Sequence, residues 1–292
     1  MTKLSTLEVS EICKQLGELH PKNISQIYGG DIHNSFKLDF KNQSIFLKKN
    51  TRKEKFLKFE YLCLKNLENY NNDEDLIIPK INSYINLENT EMLLMEWIDM
   101  SNGSQFKLGK GLAEMHLKSN ALNPNKFGYE LEGFIGLNKQ IAGWGNNWAD
   151  FFVKLRIEPQ LIILKNNNFN SDLIENLISK IKTVLNPHIP MLSLVHGDLW
   201  SGNVGINQSN KGVIFDPASW WADCEVDIAM SLLFGGFDKE FYKEYFKVLP
   251  KKTGFDKRVT IYNLYHVLNH ANMFGGSYLR QTNEYIRHIL NM

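Results

Sequence analysis

The 292-residue chain has little that would tie it to a membrane, an export route or a polyanion. No stretch approaches the roughly 18 uninterrupted apolar residues of a membrane span. The opening MTKLSTLEVSEICKQLGE mixes charge into its first turns, where a signal peptide would carry an unbroken apolar core. Lysine and arginine number 33 against 32 acidic residues, so no cationic surplus calls for nucleic acid or an anionic bilayer. The three cysteines, Cys13, Cys63 and Cys224, are odd in number and far apart and include no CxxC pair, which argues against a zinc site or a disulfide framework. These absences imply a soluble protein of the reducing cytoplasm. Internal repeats, low-complexity tracts and long linkers are missing too. What remains is an ordinary globular composition, 43% apolar and 22% charged, with enough length for two lobes around a cleft.

Periodicity divides the chain. Residues 5–20 carry helical spacing through Leu7, Ile12, Leu16 and Leu19 until Pro21 interrupts it. Phe36, Leu38 and Phe40 alternate with polar neighbours, Lys41, Asn42 and Gln43 can turn, and residues 45–48 extend again, which predicts a hairpin. A helix over about 52–67 follows, then strands near 81–87 and 91–97. From Gln105 the pattern turns helical, interrupted by two short extended segments at 204–206 and 213–215, and helices resume at Glu225. The expected fold is α+β: a small strand-rich lobe over residues 1–98 and a larger, mainly helical lobe over 99–292. The junction falls where Ser, Asn and Gly cluster, at 99–103.

The chemistry concentrates in HGDLWSGN, residues 196–203, and GVIFDPA, residues 212–218. Asp198 and Asn203 lie on one loop and Asp216 ends the next strand, so two carboxylates and a carboxamide can converge. Magnesium prefers hard oxygen ligands shared with phosphates, and Asn203 and Asp216 supply such oxygens. Asp198 is then free to accept the proton of an attacking hydroxyl. Pro217 should keep Asp216 extended. Either motif alone can decorate a turn; both at this spacing argue against that. Upstream, Glu60 falls on the apolar stripe of Phe56, Cys63 and Leu67, where a carboxylate needs a cation, and Lys48 at the end of IFLKK is the candidate. A strand lysine paired with a helix glutamate is how kinase-like enzymes hold lysine against ATP phosphates. Gly29, Gly30, Asn34 and Ser35 can form a phosphate-covering turn or a plain one. Main-chain groups from Glu96 to Ile98 can pair with adenine as an inter-lobe hinge. Asp227 either caps its helix or braces the catalytic loop. His196 reads as a packed loop residue.

The strings LVHGDLWSGNV, FDPASWW and MSLLFGGF, with IFLKKN, LLMEW, KFGY and NLYHVLNHANMFG, resemble the fructosamine (ketosamine) 3-kinase family, within the wider group of aminoglycoside and choline phosphotransferases. The likeness runs from about Ile24 to the last helix. It implies a two-lobed protein-kinase-like fold, with ATP and Mg²⁺ as cofactors. The implied reaction is transfer of the γ-phosphoryl to the C3 hydroxyl of a ketosamine, whose phosphorylated adduct then falls apart in deglycation repair. By position, Asp198 matches the catalytic base, Asn203 and Asp216 the magnesium ligands, Lys48 the phosphate-binding lysine and Glu60 its partner. The glycine-rich loop is less regular than in protein kinases. For the acceptor, Trp148, Trp220, Trp221 and His270 are candidates, since a sugar stacks on indole, although core packing accounts for tryptophan as often. The implied partner is a glycated amine, small or protein-borne, rather than nucleic acid or membrane. Two other readings stay open: a kinase for another small alcohol such as choline, homoserine or an aminoglycoside, and a nucleotide-binding module without turnover. The second would be free to lose its base or metal ligands, and every one is kept.

Overall fold

The computed structural model describes residues 3–28, 33–72, 74–166 and 174–292. Helix α1 (Thr6–Leu16) starts on a capping box between Ser5 and Glu8 and ends where Gly17 turns left-handed, short of Pro21. Strands β1 (Asn23–Ile27), β2 (Asn34–Asp39) and β3 (Ser44–Asn50) form an antiparallel meander. Helix α2 (Phe56–Glu68) begins four residues later than its periodicity suggests. Strand β4 (Leu76–Ile77) follows, then the hairpin of β5 (Ile81–Leu87) and β6 (Thr90–Glu96). The resulting five-stranded sheet has the order β1-β2-β3-β6-β5.

Alternation along β3 and β6 sorts their side chains to two faces. Ile45, Leu47, Met92 and Leu94 join Ile12 of α1 in a small core, whereas Leu93 and Met95 face α2 and the main core. Lys48, out of phase with Ile45 and Leu47, therefore points to the α2 side.

Strand β7 (Met100–Ser101) leads into α3 (Phe106–Ala121). Residues 127–145, expected to be helical, instead form four short strands: β8 (Phe127–Tyr129), β9 (Gly133–Ile135), β10 (Asn138–Gln140) and β11 (Gly143–Gly145). A close approach of two backbones shapes them. A Cβ on Gly128, at φ +124, would sit 1.9 Å from the Gly143 carbonyl, so two backbones pass here closer than any side chain allows. Helix α4 (Trp148–Phe152) continues through a π-helical turn (Val153–Ile157) into α5 (Glu158–Asn166), and α6 (Ile174–Leu185) packs beside them.

Strands β12 (Leu192–Val195), β13 (Val204–Asn207), β14 (Gly212–Ile214) and β15 (Trp220–Asp223) complete two four-stranded sheets, β11-β8-β15-β12 and β4-β14-β13-β7. The second sheet ties both β4 and β7 to the segments that carry the HGD and DPA motifs. Helices α7 (Glu225–Leu233), α8 (Lys239–Val248), α9 (Phe255–Phe274) and α10 (Ser277–Leu290) close the chain. Among the described residues no helix is long and apolar enough to cross a membrane.

Candidate active site

Two elements bring the cation to its partners. Lys48 Nζ lies 2.8 Å from Glu60 Oε1 and also bonds Asp216 Oδ1, which belongs to the opposite side of the cleft. The Lys48 and Glu60 side chains are nearly buried, while that of Asp216 is 40% exposed and opens onto the cleft. Burial pulls the Lys48 pKa down, but the Asp216 and Glu60 carboxylates outweigh it and hold the pKa above the ordinary lysine value. Burial pushes Glu60 up to about 7 against the pull of Lys48. For Asp216 enclosure also acts upward, yet the Lys48 ion pair prevails and keeps it below the usual carboxylate range. Two carboxylates thus share one ammonium.

Helix α2 is held in place from outside. Its N-cap residue, Lys55, offers no side-chain bond. The buried Glu91 of β6 takes over: Oε1 accepts from the Leu57 amide at 2.9 Å and from Asn50 Nδ2 at 2.8 Å, and Oε2 accepts from the Lys58 amide at 3.1 Å and the Tyr84 hydroxyl at 2.8 Å. A carboxylate at a helix N-terminus supplied from a neighbouring strand fixes the helix that carries Glu60. Sequence reasoning missed Glu91, because nothing local marks a cap that arrives from 34 residues away.

The opposite wall is the loop after the fully buried strand β12. Asp227, fully buried on α7, accepts from the amides of His196 at 2.7 Å and Gly197 at 2.8 Å and lies 3.1 Å from His116 Nε2. Burial opposes its charge, but His116 and these amides hold it below the ordinary aspartate value. His196 is fully buried; its Nε2 donates to the Phe215 carbonyl at 2.9 Å, and burial lowers its pKa. Asn203 Nδ2 donates to the Asp198 carbonyl at 2.8 Å and to Asp198 Oδ2 at 3.1 Å. Both contacts use the amide nitrogen, so a cation would meet the amide oxygen. Burial, with the Asp216 charge adding to it, pushes Asp198 up to about 7.

Asp216 departs from expectation in its backbone. Its φ is +58, left-handed rather than extended, despite Pro217. The turn is closed by the Phe215 amide on the Asn203 carbonyl at 3.1 Å and the Ala218 amide on the His196 carbonyl at 2.9 Å, which swing the carboxyl towards Lys48. Aspartate tolerates this region better than most residues, and such backbones persist where the surroundings over-determine them.

These groups line one cleft of about 480 Å³. Lys48, Glu60, Ser35, Asp198, Asn203 and Asp216 all face it. So do His33, which sequence reasoning passed over, and Trp200, which it read only as a core or cleft-wall tryptophan although it stands two positions after Asp198 inside the motif. Burial, with Lys48 nearby, pushes His33 down to about 4, so its ring is neutral near pH 7. Asn34 pairs with Lys49 in the β2–β3 register beside the cleft. Gly29 and Gly30 lie outside the described residues.

Other expected positions fall elsewhere. The Glu96 amide bonds the Lys80 carbonyl at 2.9 Å and is therefore taken up by the sheet, and neither Glu96 nor Ile98 lines the cleft. Trp148, Trp220 and Trp221 are corrected to core residues. Trp148 Nε1 donates to the Tyr262 hydroxyl at 2.9 Å, Trp220 stacks on Trp148 beneath the Arg156 guanidinium, and Trp221 packs edge-on against Tyr70. Both faces of β15 are covered, one by Trp148, Phe151 and Arg156 packed on Trp220 and the other by Tyr70 against Trp221, so both tryptophans are buried. His270 also stands outside the lining, half-buried against Phe234, which packs in turn on Trp200.

The donor set suits a hard divalent ion: one amide oxygen and one carboxylate within a cleft where Lys48, the one lysine among the described lining residues, already balances a second carboxylate, that of Glu60. The sequence pattern of the fructosamine kinases matches residues 5–292. The chain belongs to the fructosamine kinase family. A "Probable ketoamine kinase" of Vibrio parahaemolyticus is 36% identical over 272 residues, covering 91% of this chain and 92% of that protein. The chloroplastic protein-ribulosamine 3-kinase of Arabidopsis thaliana is 38% identical over 191 residues, 64% of this chain and 58% of its own. A crystal structure from Haemophilus somnus, provisionally named a fructosamine-3-kinase, superposes with a TM-score of 0.85 at 27% identity, covering 97% of this chain and 96% of that one. An aminoglycoside phosphotransferase solved with AMP-PNP and hygromycin B has a TM-score of 0.65 at 14% identity over 98% of both chains, which speaks to fold alone. The architecture of this fructosamine kinase family member is thus the two-lobed, protein-kinase-like α+β fold.

Proposed function

We propose that the protein transfers the γ-phosphoryl group of ATP to the C3 hydroxyl of a ketosamine, a sugar adduct of an amine. The observation that carries this reading is the meeting, in one cleft, of Lys48 from the sheet with Asp198, Asn203 and Asp216 from the helical side. Family membership supplies the acceptor class.

In this reading Lys48, kept charged by its two carboxylates, turns from Asp216 to the phosphates of ATP while Glu60 retains it. Asn203 and Asp216 would hold magnesium, which on binding neutralises phosphate charge. Asp198 orients the acceptor hydroxyl and takes its proton as the bond to phosphorus forms, and the Asn203 amide steadies its carboxylate. Asp227 keeps the loop in register through the His196 and Gly197 amides. The neutral His33 ring leaves the charge balance of the cleft to Lys48.

Incubation with ATP, magnesium and fructosyl-lysine or ribulosyl-lysine should yield an adduct heavier by one phosphoryl group in mass spectrometry. ADP release with choline, homoserine or an aminoglycoside, and none with either ketosamine, would replace this reading with another alcohol kinase.

A further inference from the structure

Strand β3 ends in three consecutive polar side chains, Lys48, Lys49 and Asn50, and all three are buried. Each is tied to a different element. Lys48 meets Glu60 of α2 and Asp216 across the cleft. Asn50 Nδ2 donates at 2.8 Å to Glu91, the carboxylate that caps α2. Lys49 faces the other way. It is in phase with Ile45 and Leu47 and so lies on the α1 side of the sheet, where its Nζ sits 2.7 Å from Glu8 Oε1 and 2.8 Å from Oε2. Both side chains of this pair are only 7% exposed.

Glu8 is itself fixed. Its Oε2 accepts from the Ser5 amide at 2.7 Å, and its own amide donates to the Ser5 hydroxyl at 3.2 Å, closing the capping box that starts α1. Burial acts to raise the Glu8 pKa, but Lys49 and the Ser5 amide prevail and hold it below the ordinary glutamate value. Helix α1 lies across the back of the sheet, with Ile12 in the small core beside Ile45 and Leu47, and among the described residues it adds nothing to the cleft lining. The cleft chemistry therefore gives α1 no task, yet the helix is fastened by a buried ion pair to the residue next to Lys48.

We propose that the Glu8–Lys49 pair is a rear anchor of the nucleotide site, through which α1 positions Lys48 from the opposite face of β3. The inference rests on the reading that Lys48 receives the phosphates of ATP. Successive strand residues point to opposite faces, so whatever fixes Lys49 also sets the direction in which Lys48 leaves the strand. While Glu8 holds Lys49, the end of β3 cannot roll about its axis, and Lys48 stays aimed at Glu60 and the cleft. Without the carboxylate, the Lys49 ammonium is buried with no counter-charge, a state relieved by turning the side chain towards water. That turn carries Lys48 off the phosphate position.

Calorimetric titrations compare Glu8→Gln with the unsubstituted protein and with Ile12→Val, which loosens α1 by one buried methyl group and leaves the ion pair alone. Glu8→Gln should bind Mg·ATP about tenfold more weakly, yet bind adenosine, which brings no phosphate to Lys48, within about twofold of the unsubstituted protein. Ile12→Val should bind both ligands unchanged although its melting temperature falls. Equal losses on both ligands in Glu8→Gln, no loss on either, or the same selective loss in Ile12→Val would overturn the anchor. If the unsubstituted protein binds no Mg·ATP, the nucleotide reading itself fails and the anchor falls with it.

Discussion

On the sheet side of the cleft one ammonium, Lys48, is shared by the carboxylates of Glu60 and Asp216, whereas on the helical side the buried Asp227 carboxylate is held by the His196 and Gly197 amides and by His116. The first arrangement can change partners without any backbone movement, since a lysine stem swings and its charge stays satisfied by whichever anion it meets. The second cannot, because an amide that loses its acceptor in the interior is left unpaired. In the proposed reading the contrast separates a part that would receive the nucleotide from a part that would hold the base still. Asp198 hangs from the fixed part and Asp216 sits between the two.

Four experiments can break or sharpen that contrast. The largest effect is expected at the base: Asp198→Asn should lower kcat by about 10²–10⁴, read in steady-state kinetics, because a positioned proton acceptor is lost. Removing the brace should register as stability. Asp227→Ala leaves two buried amides and His116 without their acceptor and should cost about 3 kcal/mol in denaturant unfolding, while Asp227→Asn, which keeps an acceptor oxygen, should cost less. Glu91→Ala frees the N-terminus of α2 and should cost about 2 kcal/mol in the same measurement, with a raised KM for ATP as Glu60 loosens from Lys48. An unchanged KM would detach Glu91 from the site.

The smallest effect is a matter of pH. Asp198 acts as a base only when ionised, and its pKa is pushed up to about 7. Activity should therefore be fully present above that pH and be lost as pH falls through it, with log kcat/KM declining by about one per unit on the acid side. A level profile between about pH 5.5 and 8 would mean that another group accepts the proton.

Much of this site was legible in the sequence because its parts lie in short local patterns. Asp198 and Asn203 share one loop, and Asp216 is one hairpin away. Glu60 betrays itself as a charge on an apolar stripe, and Lys48 as the polar end of a buried strand. Four strands of the five-stranded sheet were open to reading, β2 by its alternation and β3, β5 and β6 as extended apolar runs between turns, whereas β1 (Asn23–Ile27) carried no comparable signal. The strands β8 to β11 were not, being three residues each and shaped by glycine contacts such as Gly128 on Gly143 that only the folded chain brings together. The tryptophans misled for a related reason. A sugar platform and a core residue look alike in one dimension, and the packing of Trp220 between Trp148 and Arg156 and of Trp221 on Tyr70 decided for the core. Trp200, which does face the cleft, was read only as a core or cleft-wall tryptophan, with no role given to it within the motif. The left-handed Asp216 was hidden as well, because the loop's long-range bonds to Asn203 and His196 override the local preference that proline imposes.

The central claim is a division of labour between two aspartates of one cleft, and a calorimetric titration of Mg·ATP into the Asp198→Asn and Asp216→Asn proteins tests it directly. Asp198→Asn should bind like the unsubstituted protein, and Asp216→Asn should bind at least about tenfold more weakly, since it loses a metal ligand and not the base. Unchanged affinity in Asp216→Asn, or a loss confined to Asp198→Asn, would contradict the account.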